Sequence, residues 1–125
     1  MVIERDPLTE RVIELAIEGH RILGPGRQES IYESALHYEV ENAGIECKRQ
    51  VPIEVSYKGR AMGIGFRIDL LIERNLPIEL KAVERLTDVH KAQLLSYLGL
   101  LRLKRGLLVN FNAMPLKSGI RRIST

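Results

Sequence analysis

Tryptophan is missing from this 125-residue chain, cysteine occurs once, and four tyrosines and two phenylalanines are its only aromatic residues. A single thiol, Cys47, cannot close an internal disulfide, and with only three scattered histidines it also argues against a zinc site. No run of about 18 uncharged apolar residues is present, which excludes a membrane-spanning helix. The opening Met-Val-Ile-Glu-Arg-Asp-Pro lacks the basic-then-apolar pattern of a signal peptide. Gly24-Pro25-Gly26 is no phosphate-binding loop, because G-x-x-x-x-G-K-[ST] is absent. No repeat, low-complexity stretch or Pro/Gly/Ser-rich linker divides the chain. The expectation is one reduced, cytoplasmic domain over residues 1–125.

Hydrophobic residues make up 45% and charged residues 28%, enough apolar material for a core that needs no staples. Charge is polarised along the chain. Residues 1–62 carry eight basic and eleven acidic side chains, residues 63–125 eleven and five. After Asp88 there is no acid at all, while Lys91, Arg102, Lys104, Arg105, Lys117, Arg121 and Arg122 are basic. Such a distribution suits a polyanionic partner, although a solvated basic face would look the same.

Apolar spacing predicts a helix from Leu8 to Leu23, capped by Thr9 and ended by Gly24-Pro25-Gly26. A second runs from Glu29 to Ala43, with Tyr32, Ala35, Leu36 and Val40 inward and Gly44 as its stop. Three strands follow, at 51–57, 66–72 and 78–83. Thr87 or Asp88 caps a leucine-rich helix to about Lys104, closed by Gly106. A central strand at 107–111 and a basic edge strand at 120–123 complete an α/β fold, ordered α-α-β-β-β-α-β before that edge strand.

In strand 66–72 alternation sends Phe66, Ile68, Leu70 and Ile72 one way, and Arg67, Asp69 and Leu71 the other. In strand 78–83 Glu79 and Lys81 share a face. Burying an ionised carboxylate costs several kcal/mol unless it is paired or bound to a cation. If the two strands form a hairpin, an odd-length loop brings Asp69 beside Glu79 and Lys81, and an even-length loop sends it to the opposite face. Two adjacent carboxylates attract a hard divalent cation, typically magnesium, and a nearby ammonium can orient water or stabilise charge on a phosphate. A plain Asp–Lys and Glu–Lys salt-bridge cluster fits the spacing as well.

The stretch Gly26-Arg-Gln-Glu29-Ser-Ile-Tyr32 resembles the motif that names the GxxExxY proteins, placed in the PD-(D/E)XK nuclease superfamily. The resemblance extends over Gln50-Val-Pro52, Asp69-Leu-Leu71, Glu79-Leu-Lys-Ala-Val83, Gln93-Leu-Leu-x-Tyr97 and Asn110-Phe-Asn112. It implies a restriction-endonuclease-like fold, a central mixed sheet flanked by helices. It implies that Asp69, Glu79 and the backbone carbonyl of Leu80 hold Mg²⁺ or Mn²⁺, and that Lys81 is the catalytic lysine. Glu29 resembles the acid supplied from a preceding helix, and Gln93 a polar residue facing the site from the following one. Ile68 stands where the superfamily name has proline.

The reading that follows is a metal-dependent nuclease acting on DNA or RNA, with Arg67, Lys117, Arg121 and Arg122 on the phosphates. Too few aromatics accompany the basic clusters for base stacking, so backbone contact is expected. A chain this short leaves little room for specificity elements and is compatible with a homodimer. The alternative is a non-catalytic nucleic-acid-binding or protein-interaction module on the same fold.

Overall fold

The computed structural model describes residues 6–125, with the side chain of Ile64 excepted. The first five residues, which open the stretch read above for a leader pattern, lie outside them. The chain runs α1 (Pro7–Leu23), α2 (Glu29–Asn42), β1 (Cys47–Tyr57), β2 (Arg60–Ile72), β3 (Leu76–Lys81), α3 (Asp88–Leu101), β4 (Arg105–Asn110), a short 3₁₀ turn (Leu116–Gly119) and β5 (Ile120–Ser124). Among the described residues five strands form one mixed sheet in the order β1-β2-β3-β4-β5. All neighbours are antiparallel except β3 and β4, whose parallel pairing needs the α3 crossover.

Local chemistry sets the helix ends. Asp6, not Thr9, caps α1: its carboxylate accepts from the Thr9 amide at 2.9 Å and the Thr9 hydroxyl at 2.8 Å, with Pro7 in the first turn. Thr87 and His90 form a reciprocal capping box on α3. This helix ends at Leu101 with Arg102 in the left-handed region, and Gly106 lies within β4 rather than at a helix stop.

Helices cover both faces. On one, α1 and α2 contribute Val12, Leu15, Tyr32, Leu36 and Val40 to a core shared with Leu70, Ile72, Ile78, Leu80 and Val109. On the other, Leu94 and Tyr97 of α3 meet Ile53, Ile68 and Leu108. The apolar residues of β2 therefore do not all serve one core. Leu70 and Ile72 join the α1/α2 side, while Ile68, with Phe66 against it, joins the α3 side. The switch falls at Asp69 and the facing Gln50, whose φ of 48° breaks the extended backbone of β1.

β3 and β4 are buried almost throughout, as central parallel strands are. No helix of the described residues is long and apolar enough to cross a membrane.

Candidate metal centre

The β2–β3 turn is Glu73-Arg74-Asn75, an odd number of residues, and the pairing runs Ile72–Leu76, Leu71–Pro77 and Leu70–Ile78. The ladder stops there. Continued by one step it would oppose Asp69 to Glu79, and side chains take over at that point. The Leu80 amide donates to Asp69 Oδ2 at 2.8 Å, and the Asp69 amide donates to Glu79 Oε1 at 3.3 Å. The two strands thus part into a fork with a carboxylate on each arm. Glu79 lies level with Leu108 of the α3-side core, which places it on that face.

Glu79 is only 7% exposed. Burial, and then the charge of Asp69, push its carboxyl up to about 8, while Lys81 acts in the opposite sense. Asp69 is raised as well. Burial is the main cause; Glu33 and Glu29 add to it, and the Leu80 amide and Gln50 oppose it. Tyr97 feels both carboxylates: desolvation first, then Glu79 and Asp69, raise its phenol. The fork holds two acids with too little positive charge to balance them.

Gln50, across from Asp69, donates its amide to Asp69 Oδ1 at 3.3 Å and also to Glu33 of α2. Glu33 is buried, and Arg49 holds its other oxygen through two contacts at 3.0 and 3.1 Å. Neither Glu33 nor Gln50 was a candidate from sequence. Glu33 had a signal, since it follows Glu29 by four residues on one helical face. Gln50 had one in the family resemblance, which runs through Gln50-Val-Pro52, but its link to Asp69 follows only from the strand register.

The segment after Lys81 is held by β4. The Asn110 side chain accepts from the Val83 amide at 3.1 Å and donates to the Val83 carbonyl at 2.9 Å. The Phe111 amide donates to the Lys81 carbonyl at 2.8 Å. Asn112 accepts from the Gly26 amide at 3.1 Å, tying this corner to the turn between α1 and α2.

The remaining residues fall as follows. Lys81 is half-buried on the Glu79 side of β3. Glu29 is exposed in the first turn of α2, near enough for its charge to act on Asp69. Tyr32 is a core residue, stacked on Phe111 at 4.5 Å between ring centres, with its hydroxyl donating to the Gly24 carbonyl. Gln93 is exposed on α3, and no hydrogen bond among the described residues links it to the carboxylates. Arg67 is exposed. Arg121 opposes Leu108, which sets it on the α3 face, whereas Arg122 points the other way and pairs with Glu10 of α1 at 2.6 Å. Lys117 is exposed in the 3₁₀ turn.

Two hard carboxylates at a partly open fork fit a divalent cation with oxygen ligands. Among the described residues no group of three or more His, Cys, Asp or Glu side chains is disposed to hold a metal. Asp69 and Glu79 could hold such an ion with backbone carbonyl and water oxygens completing its shell. Over residues 6–123 the chain matches the profile of the PD-(D/E)XK nuclease superfamily. No curated protein and no solved structure gives a significant match.

Proposed function

The chain belongs to the PD-(D/E)XK nuclease superfamily, and from that premise we propose that it hydrolyses phosphodiester bonds of DNA or RNA at the β2–β3 fork. Within the superfamily we place it among the GxxExxY proteins, on Gly26, Glu29 and Tyr32. The observation that supports the reading most is the fork itself, where the Leu80 amide donates to Asp69 at 2.8 Å and the Asp69 amide to Glu79 at 3.3 Å, and where the charge of Asp69 helps raise Glu79, a strain that a divalent cation would relieve.

Asp69, Glu79 and the Leu80 carbonyl would hold Mg²⁺ or Mn²⁺, which would supply Lewis acidity at the scissile phosphate. Lys81 donates hydrogen bonds to the attacking water or to a phosphate oxygen, where negative charge grows. Glu29, on the helix beside the fork, accepts a proton from that water. Gln50 keeps Asp69 turned into the fork by its amide. Gln93 presents its amide from α3 to the substrate. Arg67, Lys117 and Arg121 contact the backbone phosphates; Arg122, committed to Glu10, does not.

Purified protein incubated with single- and double-stranded DNA and RNA and manganese is expected to cleave at least one of them. Lys81→Ala should lower the rate by about 10²–10³-fold, the scale for losing one charge-stabilising donor. A rate unchanged in that variant overturns the proposal. Manganese should raise the Tm of the wild type and not of Asp69→Asn. Salt-sensitive nucleic-acid binding with neither cleavage nor a metal-dependent shift would identify a non-catalytic module instead.

A further inference from the structure

The β1–β2 hairpin runs on past the rest of the sheet. β1 is an edge strand, and β2 pairs with β3 only over Leu70–Ile72. From Val51 and Ile68 outward the two strands therefore form a free ribbon. Ile53, Ile68 and Phe66 anchor its base against Leu94 and Tyr97 of α3. Beyond that base every residue from Ser56 to Gly63 is exposed. A two-stranded ribbon with nothing packed on either face is marginal in water, so this end adds little to the fold.

Its charge is of one sign at the tip. Between residues 51 and 68 the charged side chains are Lys58, Arg60 and Arg67, with Glu54 the single acid. None of the four forms an ion pair among the described residues. Lys58 and Gly59 make the two-residue turn between Tyr57 and Arg60, with φ of 51° and 78°. Such a turn favours Asn-Gly or Asp-Gly, and a left-handed lysine costs about 1–2 kcal/mol. The cation is kept at the tip against the preference of the backbone, and strain held in this way marks functional positions.

The ribbon is also bent. Its register shifts twice, Gly63 has a φ of 87°, and a Cβ at Gly65 would run into the Val55 side chain. Bulges of this kind sharpen the right-handed twist. A basic, twisted, two-stranded ribbon is an element that the major groove of B-form DNA admits. Residues 54–57 span about 13 Å of β1, more than the groove's depth of about 8.5 Å. A-form RNA has a deep, narrow major groove closed to side chains, and a single strand has no groove. At the other end of the ribbon Arg67 lies two residues before Asp69, so the arm leads from the carboxylate fork to whatever its tip grips.

We propose that residues 54–63 enter the major groove of duplex DNA, with Lys58 and Arg60 on the phosphates that line it. The contact rests on the nuclease reading above and narrows its substrate to duplex DNA.

Fluorescence anisotropy in EDTA, which prevents cleavage, should compare one sequence as DNA duplex, RNA duplex and single strands. Duplex DNA should bind at least about tenfold more tightly than the others, a difference of about 1.4 kcal/mol. Bulky groups on pyrimidine C5, which project into the major groove, should weaken that binding by a similar factor. Lys58→Ala with Arg60→Ala should lower the slope of log affinity against log salt by about two, one for each lost phosphate contact. Lys58→Asn suits the turn better and should hold the Tm at or above that of the wild type while weakening binding. A slope unchanged in the double variant, indifference to the C5 groups, or RNA or single strands bound as tightly overturns the proposal. Hydrolysis of a small aryl phosphodiester with manganese reads the fork alone, because such an ester cannot reach the tip. Hydrolysis together with unchanged duplex binding in the arm variants overturns the groove contact and leaves the fork standing. Binding that those variants lose, with no hydrolysis of ester or DNA, does the reverse.

Discussion

The two ends of β3 and β4 treat partly buried acid in opposite ways. At the end where both strands begin, Asp6 receives the Arg105 guanidinium at 2.9 and 3.0 Å, and Arg105 also binds the carbonyl and side chain of Asn75 in the β2–β3 turn. The hydrogen bonds from Arg105 hold the Asp6 carboxyl well below the usual range. At the far end Asp69 and Glu79 face each other and both are raised. The same side-chain chemistry reads as architecture where a guanidinium binds it directly, and as a site where Lys81 leaves two acids unbalanced. A fold that can supply a guanidinium at one end and withholds it at the other has left the second charge balance to a ligand.

That contrast can be broken from either side. The largest effect is expected at the fork, where Asp69→Asn should reduce metal-dependent cleavage by about 10³-fold or more through loss of a charge-stabilising centre. The variant should be no less stable than the wild type without metal, because it removes a repelling charge; urea melts with and without EDTA measure this. Gln50→Ala comes next. Positioning partners of metal ligands are worth about 10–100-fold, and the loss should be in rate with Tm little changed, while Glu33→Gln tests the same link from the helix side.

At the sealed end, Asp6→Ala should cost about 1–2 kcal/mol through the lost cap, with no effect on cleavage beyond that of partial unfolding. The pH response should separate the two ends further. Asp6 is lowered, so its contribution is complete above the unfolded carboxylate value of about 4 and fades as pH falls below it. Glu79 is raised to about 8, so in metal-free protein its contribution is complete below about 4.3 and is lost as pH climbs toward 8. Glu79→Gln should flatten the second slope and leave the first. The smallest effect concerns Cys47, whose buried thiol is pushed up to about 12 and should react with a thiol reagent at pH 8 far more slowly than free cysteine.

Most of the architecture was legible because it follows from periodicity: three helices, the strand-rich middle and the apolar central strands all lie close to where the pattern places them. The odd-length turn that sets Asp69 against Glu79 was legible as a condition, and Glu73-Arg74-Asn75 meets it. What escaped were features that arise only when strands meet. The division of β2 between two cores at Asp69 cannot be read from alternation, because alternation assumes an unbroken strand. Gln50 stood just ahead of the strand expected at 51–57, quoted only within the family resemblance, and its contact with Asp69 depends on the two strands meeting. Arg122 belonged to a basic tail in sequence, but the period of two turns it to α1 and Glu10 while Arg121 stays on the other face.

The carboxamide of Asn110 gives Val83 the donor and acceptor that a further strand residue would have offered. It works as a splint, prolonging sheet-like order past the point where β3 formally ends. Lys81 is thereby flanked by restrained backbone on both sides, which an ammonium on a four-carbon stem needs if its reach is to be reproducible. Amide hydrogen exchange should find Val83 protected together with the central strands rather than with the loop it opens, and Asn110→Ala should release it.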